Sequence, residues 1–210
     1  MTDRTQLRDE IALAALPHVV FDGWTEAVLK AAAKDCGHRE GMAAVAFMGG
    51  PLEAAEHLAD LADRKMAEEL AGRDLSGMSV RERLALAIKV RLTQWADEKE
   101  AMRRTLQMFA LPLHAPRAVR ITARTVDAIW TAIGDRSADF NWYTKRFSLG
   151  AVYTATVLYW LDDSSEDGRD TWDFLDRRIN DVLSGIKTRR KLTDDLAAFF
   201  KPLCDRFAAH

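Results

Sequence analysis

The sequence holds few of the residues that mark specialised protein classes. Its 210 residues include only two cysteines, five prolines and eleven glycines. The two distant thiols, Cys36 and Cys204, argue against a disulfide framework, and so little proline and glycine excludes a collagen-like or low-complexity chain. No apolar run reaches the roughly 18 to 20 residues of a membrane-spanning helix. We therefore expect a soluble protein of a reducing compartment, without a secretory or organellar presequence.

Familiar catalytic motifs are also missing. The sequence contains no phosphate loop, no dinucleotide-binding glycine motif, no nucleophile elbow and no H-E-x-x-H zinc motif. Glu53 and His57 come near a di-iron ligand pair, but their spacing is one residue too long and no second copy follows. We interpret His57 as part of a polar helix face. The sequence thus predicts a protein that is not an enzyme and binds neither metal nor cofactor.

An acidic stretch at residues 163–168 resembles the first half of a calcium-binding loop. Phe174 stands where such a loop needs a bidentate glutamate. We interpret the stretch as a connection between two helices, with Asp170 or Thr171 as the N-cap of the second one.

The spacing of apolar residues predicts an all-α protein, since no polar–apolar alternation indicates a sheet. The first helix is expected from about Thr5 to Leu16, and Pro17 and Gly23 should close it. Thr25 is the predicted N-cap of the second helix, and Ser79 with Glu82 forms a predicted capping box further along. Three short helices at the start resemble a helix-turn-helix arrangement.

This first part of the chain has the wrong charge for DNA. Residues 1–60 carry five basic and ten acidic side chains, whereas phosphate binding needs a basic surface. The helix in the recognition position, 41–48, has no side chain that could hydrogen bond to a base edge. We therefore expect no nucleic acid partner.

Bulky apolar residues form stripes along the middle helices. Periodicity alone cannot distinguish a packed core from a lined pocket, and the pattern by itself favours a core. Adaptable methionine and aromatic side chains among them would nevertheless suit a long apolar ligand. The candidates for contact with such a ligand are Leu92, Trp95, Met102, Leu106, Phe109, Val126 and Trp130.

The end of the chain predicts an amphipathic helix beside a basic segment. Residues 187–207 contain six basic and three acidic side chains. Basic residues next to an apolar aromatic face suit an anionic membrane surface. Packing of the same face onto the protein's own body, or onto a second copy, is the alternative. The residues of this face are Leu196, Phe199, Phe200, Leu203 and Phe207.

The most specific motif lies between these two regions. Residues 139–146 read D-F-N-W-Y-T-K-R, and D-S-S at 163–165 and T-W-D-F-L-D-R-R at 171–178 follow. Together they resemble the accessory family of ubiquinone (coenzyme Q) biosynthesis, whose members are lipid-binding proteins with a TetR-repressor-like fold. The resemblance is most specific over about 139–183.

The resemblance implies an all-α, TetR-repressor-like homodimer in three parts. Residues 1–50 would be a helix-turn-helix-like part that does not bind DNA, and 51–187 a helical domain for lipid binding and dimerisation. Residues 188–210 would be a basic hinge and an amphipathic tail helix that contacts the membrane through the five apolar residues named above.

The family also implies a function without catalysis. Its members bind an isoprenoid, quinone or phospholipid and present a prenylated quinone intermediate to the demethoxyubiquinone hydroxylase. By match, Asp139, Trp142 and Tyr143 form the partner surface, although Trp142 could instead be a core residue. The expected place of the chain is a bacterial cytoplasm, peripheral on the inner membrane. The alternative function is a TetR-like transcriptional regulator with a hydrophobic effector.

Overall fold

The computed structural model describes residues 4–135, 141–182 and 184, with residues 141–144 as backbone. No strand occurs in these segments, in agreement with the predicted all-α class. The helices are α1 (Arg4–Asp22), α2 (Glu26–Asp35), α3 (Met42–Ala46), α4 (Gly50–Ala71), α5 (Val80–Thr93), α6 (Lys99–Phe109), α7 (Ala115–Ala132), α8 (Asn141–Asp162) and α9 (169–182).

The N-terminal helices α1, α2 and α3 pack together in the helix-turn-helix-like layout that the sequence predicts. Thr25 caps α2 as expected, since its hydroxyl accepts a hydrogen bond from the amide of Val28 at 3.2 Å. The predicted end of α1 at Pro17 is wrong, because the helix continues to Asp22 and ends directly before Gly23, the second predicted closing residue. Leu16 and Val19 are both buried on either side of the proline. Their burial offsets the lost backbone hydrogen bond.

The body of the fold is built on α4, which packs against α1, α5 and α7, while α7 packs against α8. The predicted capping box at the start of α5 is confirmed. The Ser79 hydroxyl accepts from the Glu82 amide at 3.3 Å, and the Glu82 carboxylate accepts from the Ser79 amide at 2.7 Å.

Asp163, the first residue after α8, fixes the connection between α8 and α9, and the predicted caps do not. The Asp163 carboxylate accepts from the Ser165 amide at 2.7 Å and from the Thr171 amide at 2.9 Å. Asp170 donates its amide to the Ser165 hydroxyl at 3.0 Å. The prediction that Asp170 or Thr171 caps α9 is therefore wrong, because both donate amides to acceptors that lie earlier in the chain.

The pKa of Asp163 reflects the hydrogen bonds that its carboxylate accepts. Partial burial raises the pKa of its carboxyl, but the hydrogen bonds from Ser165 and Thr171 outweigh that effect and keep the pKa well below its usual range. The carboxylate therefore stays ionised and fastens the first turn of α9 to the end of α8.

Among the described helices, none is both long enough and apolar enough to cross a lipid bilayer.

Candidate functional site

An apolar cavity of about 150 Å³ lies between α4, α5, α6, α7 and α8. We call it the central cavity. Five of the seven side chains proposed from the sequence for ligand contact line it, and they come from α5, from α6 and from the turn between them. These five are Leu92, Trp95, Met102, Leu106 and Phe109.

The other two proposed residues lie elsewhere. Trp130 lines a second cavity of about 290 Å³, the side cavity, which is enclosed by α5, α7, α8 and α9. Val126 is fully buried on α7 and is not among the residues that line either cavity. It faces α8, where a Cβ added to Gly150 would lie 3.8 Å from a Val126 methyl group.

One wall of the central cavity is polar, and sequence reasoning missed it. Arg91 on α5 is buried and donates from Nε to Asp63 Oδ1 at 2.7 Å and from Nη1 to the Tyr153 hydroxyl at 2.6 Å. Thr125 on α7 donates its hydroxyl to Asp63 Oδ2 at 3.1 Å. Arg91, Thr125 and Tyr153 all line the cavity. The buried carboxylate of Asp63 therefore joins α4 to α5 and α7, and Arg91 extends the network to α8.

The sequence did contain a signal for this wall. Arg91 stands three residues after Ile88 and seven after Leu84, which are both buried, so it occupies a core position of the α5 stripe. A charged residue on a core stripe requires a buried partner of opposite charge. The partner could not be read from spacing, because Asp63 lies 28 residues away on another helix.

The surroundings of Tyr153 and Arg91 determine the protonation states of these two residues of the polar wall. Burial raises the pKa of the Tyr153 phenol above its ordinary value, and the nearby positive charge of Arg91 only partly opposes that effect. Tyr153 therefore keeps its proton at physiological pH. Burial lowers the pKa of Arg91, but Tyr153 and Asp63 outweigh it and raise the pKa above its usual value, so the guanidinium stays charged.

The arrangement suits binding rather than proton transfer or nucleophilic attack. Charge on the wall is balanced by the ion pair of Arg91 with Asp63, and most other lining side chains are hydrocarbon. Within the described part of the chain, no three His, Cys, Asp or Glu side chains are grouped in a way that could hold a metal ion. The central cavity therefore offers an apolar volume with hydrogen-bond donors on one side.

The wall formed by α6 is attached at its N-terminal half. Lys99 donates to the carbonyl of Asp163 at 2.7 Å, and Arg103 donates to the carbonyl of Leu161 at 2.8 Å and to the Asp162 carboxylate at 2.8 Å. These bonds connect the start of α6 to the C-terminal end of α8. Met102, between these two residues, and Leu106, one turn after Met102, are only half-buried.

The proposed partner residues can be located only in part. Asp139 lies outside the described residues, and Trp142 and Tyr143 belong to the first turn of α8, where only the backbone is described. One turn later Phe147 exposes 84% of its surface. A phenylalanine so exposed beside this motif was not singled out from the sequence, although it stands four residues after Tyr143.

The proposed membrane contacts, Leu196, Phe199, Phe200, Leu203 and Phe207, also lie outside the described residues. So does the basic segment that precedes them.

The prediction that His57 lies on a polar helix face is wrong. Its ring is buried, and Nε2 lies 2.6 Å from Asp9 Oδ1 on α1. The rings of His57 and Phe47 pack in a T-shaped arrangement, with the ring centroids 5.7 Å apart. Asp9 in turn accepts a bond from Arg64 at 2.6 Å. The histidine therefore contributes to the packing of α4 on α1, a contact between distant residues that helical periodicity does not reveal.

Comparison with known proteins agrees with the motifs found in the sequence. Residues 115–185 match the COQ9 family. The human mitochondrial ubiquinone biosynthesis protein COQ9 is 33% identical over 194 residues, which are 89% of this chain and 61% of the human protein. A probable COQ9 of Dictyostelium discoideum is 36% identical over 120 residues, covering 57% of this chain and 39% of that protein. The chain thus spans about three fifths of the human relative's length.

A solved structure confirms the predicted fold class. A TetR transcriptional regulator from Nitrosomonas europaea superposes with a TM-score of 0.68 over 84% of this chain and 97% of that protein, at 24% identity. The described part of the chain therefore has a TetR-like fold.

Proposed function

We propose that the chain, which is similar to the COQ9 proteins, is a non-catalytic accessory protein of ubiquinone biosynthesis. It binds the prenyl chain of a quinone intermediate in the central cavity and presents that intermediate to the demethoxyubiquinone hydroxylase at the membrane surface. The observation that carries this proposal is the coincidence of two results. Five side chains chosen for ligand contact from the sequence line one apolar cavity, in a chain related to ubiquinone biosynthesis proteins.

The physical reason for such a protein is the insolubility of its cargo. Each buried methylene group is worth about 0.8 kcal/mol, so a prenylated quinone leaves a bilayer only for another apolar environment. The central cavity provides one, and its volume of about 150 Å³ is below the roughly 300 to 1,000 Å³ of typical ligand sites. Loading therefore requires outward displacement of α6, whose Met102 and Leu106 are half-buried.

The remaining parts of the proposal concern surfaces. Asp139, Trp142 and Tyr143 bind the hydroxylase, and the exposed Phe147 extends their patch along α8. Exposed aromatic and apolar residues are typical anchors of protein interfaces. Leu158 and Tyr159, near the other end of α8, are also exposed and suit a second copy of the chain. The tail residues 196–207 bind the cytoplasmic face of the inner membrane.

The division of the chain follows from these roles. Residues 51–187 bind lipid and dimerise, residues 188–210 carry the membrane helix, and residues 1–50 keep a helix-turn-helix shape without binding DNA. The last point is supported by α3, whose described residues are Met, Ala and Val and offer no hydrogen bond to a base edge.

The decisive experiment is mass spectrometry of the lipids extracted from protein purified without detergent. We expect close to one quinone, isoprenoid or phospholipid per chain. Leu106→Trp, which fills the central cavity, should abolish the bound lipid. Leu113→Trp, at a leucine that is 85% exposed, is the matched control and should retain it. Lipid-free protein in both the wild type and the control would mean that the cavity is part of a packed core.

A further inference from the structure

We propose that the side cavity is a second binding site, which takes a single-chain carboxylate such as a medium-chain fatty acid. The carboxylate pairs with the guanidinium of Arg83 on α5, and the hydrocarbon chain lies among the apolar side chains of the cavity. This site is separate from the central cavity and goes beyond the function proposed above.

The side cavity has the size and the lining for a short apolar chain. Its volume of about 290 Å³ is close to the lower end of the roughly 300 to 1,000 Å³ of small-molecule sites. It shares no lining residue with the central cavity, so the two can be occupied independently. Its apolar lining residues are Val80, Leu84, Trp130, Ile133, Leu149, Val152, Ile179 and Val182.

Arg83 brings to this cavity a positive charge that has only neutral partners at short range. Its side chain is half-buried, and it donates from Nε to the Met78 carbonyl at 3.0 Å and from Nη1 to the Ile133 carbonyl at 3.3 Å. No carboxylate of the described residues lies within 4.0 Å of the guanidinium. Asp74 interacts with it from further away and already accepts from the Ser76 amide at 2.9 Å. A half-buried cation in this situation favours an anionic ligand.

The other charges of the lining leave room for a single negative charge. Lys145 Nζ lies 4.0 Å from Asp135 Oδ2, so these two charges balance each other. Arg83 then gives the lining a net charge of +1, which one carboxylate neutralises. The basic segment 187–191 would instead add cations to the lining, so charge argues against the chain's own tail as the occupant.

Charge, and not an unpaired N–H group, distinguishes the two cavities. Trp130 in the side cavity and Trp95 in the central cavity are both buried, and the Nε1 atom of each lacks a hydrogen-bond partner among the described residues. The cation of the central cavity is neutralised, because Arg91 Nε lies 2.7 Å from Asp63 Oδ1. The guanidinium of Arg83 is not, so a carboxylate prefers the side cavity.

The test compares a charged and an uncharged probe with tails of the same length. Decanoate carries ten carbons and a carboxylate, and decanol carries ten carbons and no charge. Binding to the full chain is measured by isothermal titration calorimetry, and the wild type should bind decanoate more tightly than decanol. Arg83→Gln should bind decanoate about tenfold more weakly than the wild type, because a charge-assisted hydrogen bond is lost. Its affinity for decanol should be unchanged.

Arg81→Gln is the matched control. Arg81 lies two residues earlier on α5, pairs with Asp176 at 3.7 Å and does not line the cavity, so both affinities should stay at their wild-type values. Equal weakening of decanoate and decanol in Arg83→Gln, or an unchanged affinity for decanoate, would overturn the inference.

Salt gives a second reading, which decides if Arg83→Gln loses its thermal transition. Sodium chloride should weaken the binding of decanoate to the wild type without weakening that of decanol, since salt screens a charge pair near water. An affinity for decanoate that does not respond to salt contradicts the pairing with Arg83.

Two variants that fill one cavity each locate the bound probe. Val182→Trp fills the side cavity and should abolish the binding of decanoate, whereas Leu106→Trp fills the central cavity and should retain it. The reverse pattern would place decanoate in the central cavity, which overturns this inference and leaves the proposed function intact. A wild type that does not bind decanoate overturns the inference as well.

Discussion

Arg91 donates a hydrogen bond of 2.6 Å to the hydroxyl of Tyr153, and this contact joins α5 to α8 across the wall of the central cavity. The two residues are 62 positions apart in the chain. Arg91 also binds Asp63, so the same guanidinium connects α4 to both helices. A single buried cation therefore organises the polar side of the candidate binding site.

The first prediction concerns the stability of this wall. Arg91→Met should lower the free energy of unfolding by about 3 to 5 kcal/mol, because it leaves Asp63 buried without its partner. The double variant with Asp63→Leu should recover most of the loss. Urea unfolding measures both values. Arg81→Met is the control, since Arg81 pairs with Asp176 at 3.7 Å on the surface and should cost less than about 1 kcal/mol. Equal costs for Arg91→Met and Arg81→Met would contradict the assigned role of the buried pair.

The second prediction uses the pKa of Asp163. Because the folded protein holds this pKa below the ordinary value of 3.8, the carboxylate stabilises the fold above that pH. The contribution should be lost as the pH falls from about 4 towards the lower folded pKa. Asp163→Asn should cost about 1 to 2 kcal/mol at pH 7, in line with the loss of a helix cap.

The measurement is the difference in unfolding free energy between the wild type and Asp163→Asn across the acid range, which isolates this group from other carboxylates. The difference should shrink below pH 4. Asp170→Asn, in the first turn of α9, serves as the control and should show little difference at any pH. A constant difference down to pH 2 would show that Asp163 does not act through its charge.

The third prediction tests the partner surface. Trp142→Ala should weaken binding of the demethoxyubiquinone hydroxylase about thirtyfold, the typical loss at an interface hot spot. The thermal midpoint of the chain should stay within a few degrees of the wild-type value. Calorimetric titration and thermal unfolding give the two readings, with Leu113→Ala as an exposed control. An unfolded Trp142→Ala variant would identify Trp142 as a core residue instead.

The fourth prediction concerns the tail. Removal of residues 188–210 should abolish flotation of the protein with phosphatidylglycerol liposomes, because the basic segment and the apolar face are lost together. Serine at both Phe199 and Phe200 should have nearly the same effect. Serine at both Asp194 and Asp195 leaves the predicted apolar face unchanged and should leave flotation intact. Undiminished flotation of the truncated protein would remove the tail from the mechanism.

Local features of this chain could be predicted from its sequence, and contacts between distant residues could not. Thr25 and the pair of Ser79 with Glu82 were identified because a cap and its partner lie within three residues of each other. Pro17 was misjudged because burial of α1 against its neighbours, which spacing does not show, keeps the helix intact.

In the candidate site, too, the local features could be predicted and the contacts between distant residues could not. The apolar stripe on α6 was visible, since Met102, Leu106 and Phe109 repeat at helical spacing. The polar wall was not, because its hydrogen bonds join residues on different helices. The burial of His57 against Asp9, 48 positions away, was missed for the same reason.

The attachment of α6 has a consequence for how long a lipid would stay bound in the central cavity. Lys99 and Arg103 connect the first half of this helix to the end of α8 through charged groups near the surface. In the loading route proposed above, opening the cavity moves α6 against these bonds, so we expect them to contribute to the barrier that a departing ligand must cross. The residence time of a bound lipid should then depend on ionic strength as well as on the length of the apolar tail, since salt weakens charged contacts near water. We expect the local ionic environment to help set the rate of release.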